Sequence, residues 1–285
     1  MLSKAFCDWY LKILLPLNII IMLADLHTHT FLSDGQLSPN ELTTLMKQAE
    51  VQFFSITDHD CFDAYTLLEI PEGLTLIPGI EFSVRYDLKE IHILGYFPPY
   101  FCNQPDPAIM DLLQKTQLQR RKRSIEFLNT LGELGVTLTL KDIQKHQRGP
   151  ILSRHHLAKA LVYAGYTNSM ESSYKKYLDY QKPFLKLTEN TPEQVISLIH
   201  QAKGLAFWAH PNLDQIPQTL PTLLEFGLDG LEMVRTAGAK IRACCKDHQI
   251  LTSWGTDFHS YGQNRSLGMR VDELIFAQFR ERLGI

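Results

Sequence analysis

Apolar and polar positions along the chain alternate between two periods. Ile19–Leu26 is a continuous apolar run that breaks into a polar cluster, the pattern of a parallel strand buried on both faces. Similar short runs follow at Phe53–Thr57, Leu74–Pro78, Glu90–Tyr96, Gly204–Ala209, Gly230–Met233 and Leu251–Gly255, the last clear strand. Between them lie helical stretches. Pro39–Val51 follows Ser38, a good N-cap, with proline at the first helical position and Glu41 close behind. Leu220–Phe226 and Ala237–His248 are further helices. The alternation predicts an α/β fold.

The middle of the chain breaks this rhythm. Asp106–Leu134 predicts one long polar helix, and Leu157–Ala164, Ser172–Asp179 and Pro192–Ala202 predict three more. The expected organisation is an α/β catalytic domain over 19–99 and 204–285, a helical insertion over 100–203, and an N-terminal appendage over 1–18. Residues 9–24 are apolar enough to suggest an anchor, but Lys12, Pro16 and Asn18 interrupt them. The run is also shorter than the roughly 20 residues of a membrane span, and it flows straight into AspLeuHisThrHis. The expectation is therefore a buried strand and a cytoplasmic protein with no stable membrane association.

Composition changes little in this picture. The 285 residues are 45% hydrophobic and carry a net charge of −3, so no global basic field draws in nucleic acid. Cys7, Cys61, Cys102, Cys244 and Cys245 are odd in number and form no Cys-x-x-Cys pair, which argues against a disulfide framework or a structural zinc site.

Candidate chemistry changes it a great deal. Almost every predicted strand ends in histidine, aspartate or glutamate: Asp25, His27 and His29, then Asp34; Asp58 and His59; Glu81; His92; His210; Asp257 and His259. The carboxyl ends of strands in α/β sheets and barrels converge on one face, where sites form. His27 and His29 lie two apart and face one side of an extended segment, and Asp257 and His259 repeat the spacing. Alone, His92 reads more readily as structural than as a ligand; the constellation is the signal. His146, His200 and His248 lack such a context and read as surface residues. Imidazoles and carboxylates without thiolates suit divalent manganese, zinc or iron. The six histidines with Asp34, Glu81 and Asp257 make nine, which exceed one coordination sphere and imply two or three ions with a bridging carboxylate. Clustered ions can generate hydroxide from water and clamp the oxygens of an in-line phosphoryl displacement.

These residues also carry a resemblance. AspLeuHisThrHisThrPheLeuSerAspGly (25–35) is similar to the first motif of the PHP (polymerase and histidinol phosphatase) family, ThrAspHisAsp (57–60) to the second, and ProGlyIleGluPheSer (78–83) to the glutamate motif. AlaHisPro (209–211) and GlyThrAspPheHis (255–259) resemble the motifs that follow. The resemblance implies a distorted (β/α)₇ barrel with a trinuclear site. His27, His29, Glu81 and Asp257 would hold one ion; Asp34, His59 and His259 a second; Glu81, His92 and His210 the third, with Glu81 bridging. Asp58 and Asp60 would orient ligands.

The insertion narrows the resemblance. LeuSerArgHisHisLeuAlaLysAlaLeuVal (152–162) and TyrLeuAspTyrGlnLysProPhe (177–184) resemble stand-alone members of the family, which include the 5′-to-3′ exoribonuclease RNase AM and 3′,5′-nucleotide bisphosphate phosphatases. In that group the insertion caps the site and supplies basic residues to substrate phosphates. Arg154 is the best candidate, with Arg120 and Lys182 behind it, because a guanidinium fork pairs two phosphate oxygens. Arg121, Lys122 and Arg123 read as a solvated helix face, and His155 stands where the resemblance leads one to expect proline. The expected activity is hydrolysis of a nucleotidic phosphate ester by in-line attack of metal-bound hydroxide, on an RNA 5′ end, a short oligoribonucleotide or a nucleotide bisphosphate. Histidinol-phosphate phosphatase is the alternative within the superfamily. A non-catalytic metal-binding regulatory module is the alternative from another class.

Overall fold

A computed structural model describes residues 21–179, 187–260 and 266–285. The appendage expected over 1–18, and Lys182, lie outside the described residues. Two sheets carry the fold. The first has the order β3-β2-β1-β9, built from β1 (Ile21–Asp25), β2 (Phe53–Phe54), β3 (Thr75–Leu76) and β9 (Met269–Asp272). The second runs β4-β5-β6-β7-β8, from β4 (Gly79–Tyr86), β5 (Lys89–Tyr96), β6 (Leu205–Trp208), β7 (Gly230–Met233) and β8 (Leu251–Trp254). Strands β1, β2 and β3 are parallel, as are β6, β7 and β8.

Backbone contacts stitch the two sheets together beyond the strand ends. Leu26 N donates to Trp254 O (2.7 Å), and Thr28 bridges Phe258. At the other edge His59 bridges Glu81. Both seams are made of predicted site residues and their neighbours, so closing the fold and assembling the site are one event.

Several elements lie beyond the sequence reading, among them the short helix Leu140–Gln144. β4 extends to Tyr86, because Ile80, Phe82 and Val84 face the main core while Glu81 and Ser83 alternate onto the opposite side. Leu251–Gly255 is not the final strand: β9 pairs antiparallel with β1, and helix α9 (Glu273–Leu283) follows, capped by Asp272.

Helices cover the sheets: α1 (Pro39–Gln48), α6 (Pro192–Gln201), α7 (Ile216–Glu225) and α8 (Gly238–His248). Ser38 and Glu41 form a reciprocal capping box on α1, as the sequence predicts. The middle of the chain holds α2 (Pro107–Glu133), α3 (Leu140–Gln144), α4 (Arg154–Tyr163) and α5 (Met170–Ser173), the last running into a π-helical turn over Tyr174–Leu178.

These middle helices have their own apolar core, in which Phe127, Leu131, Ile143, Leu157, Leu161 and Leu178 pack together. Helix α2 belongs to two cores. Its first turns bury Ile109, Leu112 and Leu113 against the sheets, and its last turns bury Phe127, Leu128 and Leu131 in the second core. Between these ends the buried stripe turns polar, through Thr116, Arg120 and Ser124. Among the described residues no helix is long and apolar enough to cross a membrane.

Candidate metal centre

The strand ends converge as their sequence positions imply. His27 and His29 follow β1, both fully buried. Their Nε2 atoms lie 3.1 Å apart, and each lies 3.2 Å from Glu81 Oε2. Asp257 Oδ1 lies 3.5 Å from His27 Nε2 and 3.4 Å from His29 Nε2. On the far side of His29, His259 Nε2 lies 3.3 Å and His59 Nε2 3.7 Å from the two Asp34 oxygens. The third group gathers on Glu81 Oε1, with His92 Nδ1 at 2.8 Å and His210 Nε2 at 3.2 Å. Glu81 thus sits at the hub, Oε2 facing His27, His29 and His59, and Oε1 facing His92 and His210.

Side-chain and backbone partners hold this set in place. Glu232 accepts a hydrogen bond from His27 Nδ1 (2.9 Å) and another from the His210 backbone N–H (2.6 Å). The first bond sets the His27 tautomer and leaves Nε2 turned toward Glu81. The sequence reading missed Glu232; its only signal was an acid in the middle of the buried run GlyLeuGluMet. Asp58 accepts from the Thr30 backbone N–H, the Thr30 hydroxyl and the Ser33 hydroxyl, which ties down the loop carrying Asp34. Asp25 does the same for the last motif, accepting from Thr256 N, Thr256 Oγ1 and Gly268 N. Asp60 forms an ion pair with Arg120 (2.6 Å) and accepts from Ser83 N.

The backbone bends sharply at the same residues. Asp60, His210 and Asp257 have φ of 46°, 31° and 52°, left-handed conformations that cost non-glycine residues about 1–3 kcal/mol each. Such strain persists where surrounding bonds over-determine it. Gly255 has a different reason for its residue type: a Cβ there would lie 2.1 Å from His27 Cβ and 2.7 Å from Glu232 Oε1. Any larger residue would push His27 out of line.

Electrostatics follow from crowding imidazoles and carboxylates in a dry space. Burial disfavours charge on His29, but the adjacent Asp257 and Glu81 carboxylates outweigh it and push its pKa up to about 10. Burial also opposes charge on His92, and the Glu81 carboxylate raises it to about 9. Asp34 and Glu81 are held well below the usual carboxylate range, because the surrounding histidines overcome burial. Burial pushes Asp25 up to about 6, against the hydrogen bonds it accepts from Gly268 and Thr256.

The donor set fits divalent ions. Three groups, His29–Asp34–His59–His259, His27–His29–Glu81 and His59–Glu81–His92, each bring their donor atoms within 4.8 Å of one another. Glu81 Oε2 and His59 Nδ1, 3.0 Å apart, are buried without a hydrogen-bond partner. Buried polar atoms are seldom left so, and a coordinated cation would satisfy both.

A cavity of about 240 Å³ opens over the cluster. Asp34, His59, His92, Asp257 and His259 form its floor, and Arg120, Ser153, Arg154, His155 and Tyr174 its walls. Helix α4 therefore brings Arg154 to the cavity, where Nη1 also donates to Leu178 O (3.3 Å) and the guanidinium lies 5.8 Å from the Tyr174 ring centroid. Arg120 lines the same cavity while held by Asp60 and Ser83. Arg123 pairs with Glu90 at 3.3 Å, so it is not part of a wholly solvated face; Arg121 and Lys122 are exposed. Histidines 200 and 248 lie apart from the cluster, and His200 is hydrogen-bonded to Asp229 (2.8 Å).

Comparison with known proteins follows this geometry. The PHP domain profile matches residues 25–224. The 5′-3′ exoribonuclease Rnm of Escherichia coli is 30% identical over 251 residues, covering 82% of this chain and 84% of that protein. A 3′,5′-nucleoside bisphosphate phosphatase of Chromobacterium violaceum is 26% identical over 264 residues, 87% of this chain and 91% of its own length. Among solved structures, a protein described as an amidohydrolase from Chromobacterium violaceum superposes with a TM-score of 0.78 at 24% identity, over 91% of this chain and 96% of that one. That likeness shows a shared mixed α/β fold.

Proposed function

The chain belongs to the PHP family of phosphoesterases, and from that membership we propose that it hydrolyses nucleotidic phosphate esters with the help of two or three divalent ions. The substrate is the 5′ end of RNA or a short oligoribonucleotide, or a nucleotide 3′,5′-bisphosphate. The names of the relatives support both. A single observation carries the reading: Glu81 offers one carboxylate oxygen to each of two histidine groups, the arrangement a bridging ligand requires.

His27, His29, Glu81 and Asp257 would hold one ion, Asp34, His59 and His259 a second, and Glu81, His92 and His210 the third. Manganese suits the mix, with zinc or iron as substitutes. The framework is a distorted (β/α)₇ barrel over 19–99 and 204–285, supported by the two seams between the sheets. Residues 100–203 form a cap, a division supported by the separate core around Leu161.

Divalent ions at such a site supply Lewis-acid polarisation of phosphate oxygens and lower the pKa of water. The chain's own residues do the rest. Glu232 keeps His27 in one tautomer, and Asp58 keeps the Thr30–Asp34 loop in register. Arg154, on the cavity wall, receives the terminal phosphate, and Arg120 adds positive field behind it. The cap and floor together limit water around the scissile ester.

One assay panel tests the proposal: adenosine 3′,5′-bisphosphate, 5′-phosphorylated oligoRNA, oligoDNA and histidinol phosphate, each with manganese. Turnover of the bisphosphate or the RNA is the expected result. Turnover of histidinol phosphate alone would overturn it.

A further inference from the structure

A second groove lies beside the metal cavity. It encloses about 280 Å³ between α2 and the segment from α3 to α4. Four amide side chains line it, those of Gln114, Gln117, Gln144 and Gln147, together with Arg121 and the apolar Leu152. The two hollows share walls. Arg120 faces the metal cavity and its neighbour Arg121 the groove; Ser153 faces the cavity and Leu152 the groove. Gln117 Nε2 donates to the carbonyl of Asp60, the residue after His59 (3.1 Å). Gln147 is held by Gly149 O (2.9 Å), and Gly149 lies so close to Leu32 that a Cβ would meet its Cα at 2.2 Å. One end of the groove is thus fastened to both halves of the metal site.

Two of the amides are anchored in this way, and Gln114, Gln144 and Arg121 are exposed. A carboxamide is uncharged and offers both a donor and an acceptor, which matches base edges better than phosphate. Arg121 supplies the charge that a phosphodiester needs, and Leu152 with Pro150 supplies apolar surface for a base or ribose. A mononucleotide has no use for such a surface once its phosphates occupy the cavity. A chain extending beyond its first nucleotide does.

We propose that this groove binds the nucleotides of a single-stranded RNA that follow the 5′-terminal one, so that the preferred substrate is an oligoribonucleotide and not a free nucleotide bisphosphate. The inference rests on the phosphoesterase reading of the metal site and sharpens it.

The test compares the wild type with Arg121→Glu and with the double variant Gln114→Ala/Gln144→Ala. Binding of a fluorescein-labelled, 5′-phosphorylated eight-nucleotide RNA to metal-free protein is followed by anisotropy. Turnover of the unlabelled RNA and of adenosine 3′,5′-bisphosphate is followed with manganese. Melting curves establish that the variants, changed only at exposed positions, remain folded. Both variants are expected to bind the RNA about tenfold more weakly, the scale of one lost charged or paired hydrogen bond. KM for RNA should rise by the same factor while bisphosphate turnover is unchanged. Unaltered RNA binding in both variants, no RNA binding by the wild type, or an equal loss on the bisphosphate would each overturn the proposal. Failure of the phosphoesterase reading has a different signature: no turnover of any substrate, with the anisotropy difference intact.

Discussion

The floor of the site and the cap above it are built on opposite principles. On the floor, histidine and carboxylate side chains radiate from a fully buried His27, His29 and Glu81, crowd within a few ångströms of one another and lean on further polar groups such as Glu232, Asp58 and Asp25. Among the middle helices the packed core is mainly apolar, and polar residues such as Arg120, Ser153 and Arg154 line the open cavity. The floor spends stability on holding charge, whereas the cap gains stability from packing and uses only its rim for recognition. Damage to one should therefore have a different signature from damage to the other.

The largest effect is expected on the floor. Asp257→Ala should lower turnover by about a thousandfold or more, the several kcal/mol that a lost metal-assisted step represents. Bound metal, counted by mass spectrometry, should fall while the cap stays folded. Full activity in this variant would erase the contrast.

Next comes the core of the cap. Leu161→Ala should destabilise it by about 2–5 kcal/mol through the cavity it leaves. Proteolysis should then begin in the middle of the chain, with metal content unchanged. Loss of metal in this variant would mean that the two regions are one cooperative unit.

A smaller change is expected at the rim. Arg154→Ala should raise KM by about ten- to a hundredfold, the range for one charge-assisted bond to phosphate. Metal content should not alter. A loss confined to kcat would move Arg154 out of substrate binding.

The smallest effect is a pH dependence that belongs to the floor alone. In metal-free protein the pKa values of His29 and His92 are pushed up to about 10 and about 9 from an ordinary 6.5. Their stabilising contribution is complete below pH 6.5 and is lost as pH rises through 9 to 10. Asp34 and Glu81 are depressed, so they stabilise above the ordinary carboxylate range and lose that contribution only in acid. The melting temperature of chelator-treated protein should fall on the alkaline side. Metal uptake, which must displace these protons, should strengthen over the same interval.

The contrast also explains what could be read before any coordinates. The clustering of histidines and carboxylates was legible because few residue types suit such chemistry and topology sends strand ends to one face. His27, His29 and Glu81 announced themselves in this way. Glu232 did not, because a single acid in a short strand carries no spacing pattern. β9 and α9 lie outside the sequence reading as well, although Asp272 before Glu273 is a helix-start signal; MetArgValAsp lacks the continuous apolar run that marks β6. The partner of Arg120 could not be read at all. Its ion pair with Asp60 depends on how a helix begun in one core continues into another.

That shared helix has a consequence for how such enzymes diverge. α2 spans about 40 Å at 1.5 Å per residue, and each inserted or deleted residue turns everything beyond it by about 100°. A single codon gained between Leu113 and Phe127 would swing the cap's rim around the active centre while leaving every ligand untouched. Substrate range can thus be retuned by indexing one helix, like a dial with a fixed base.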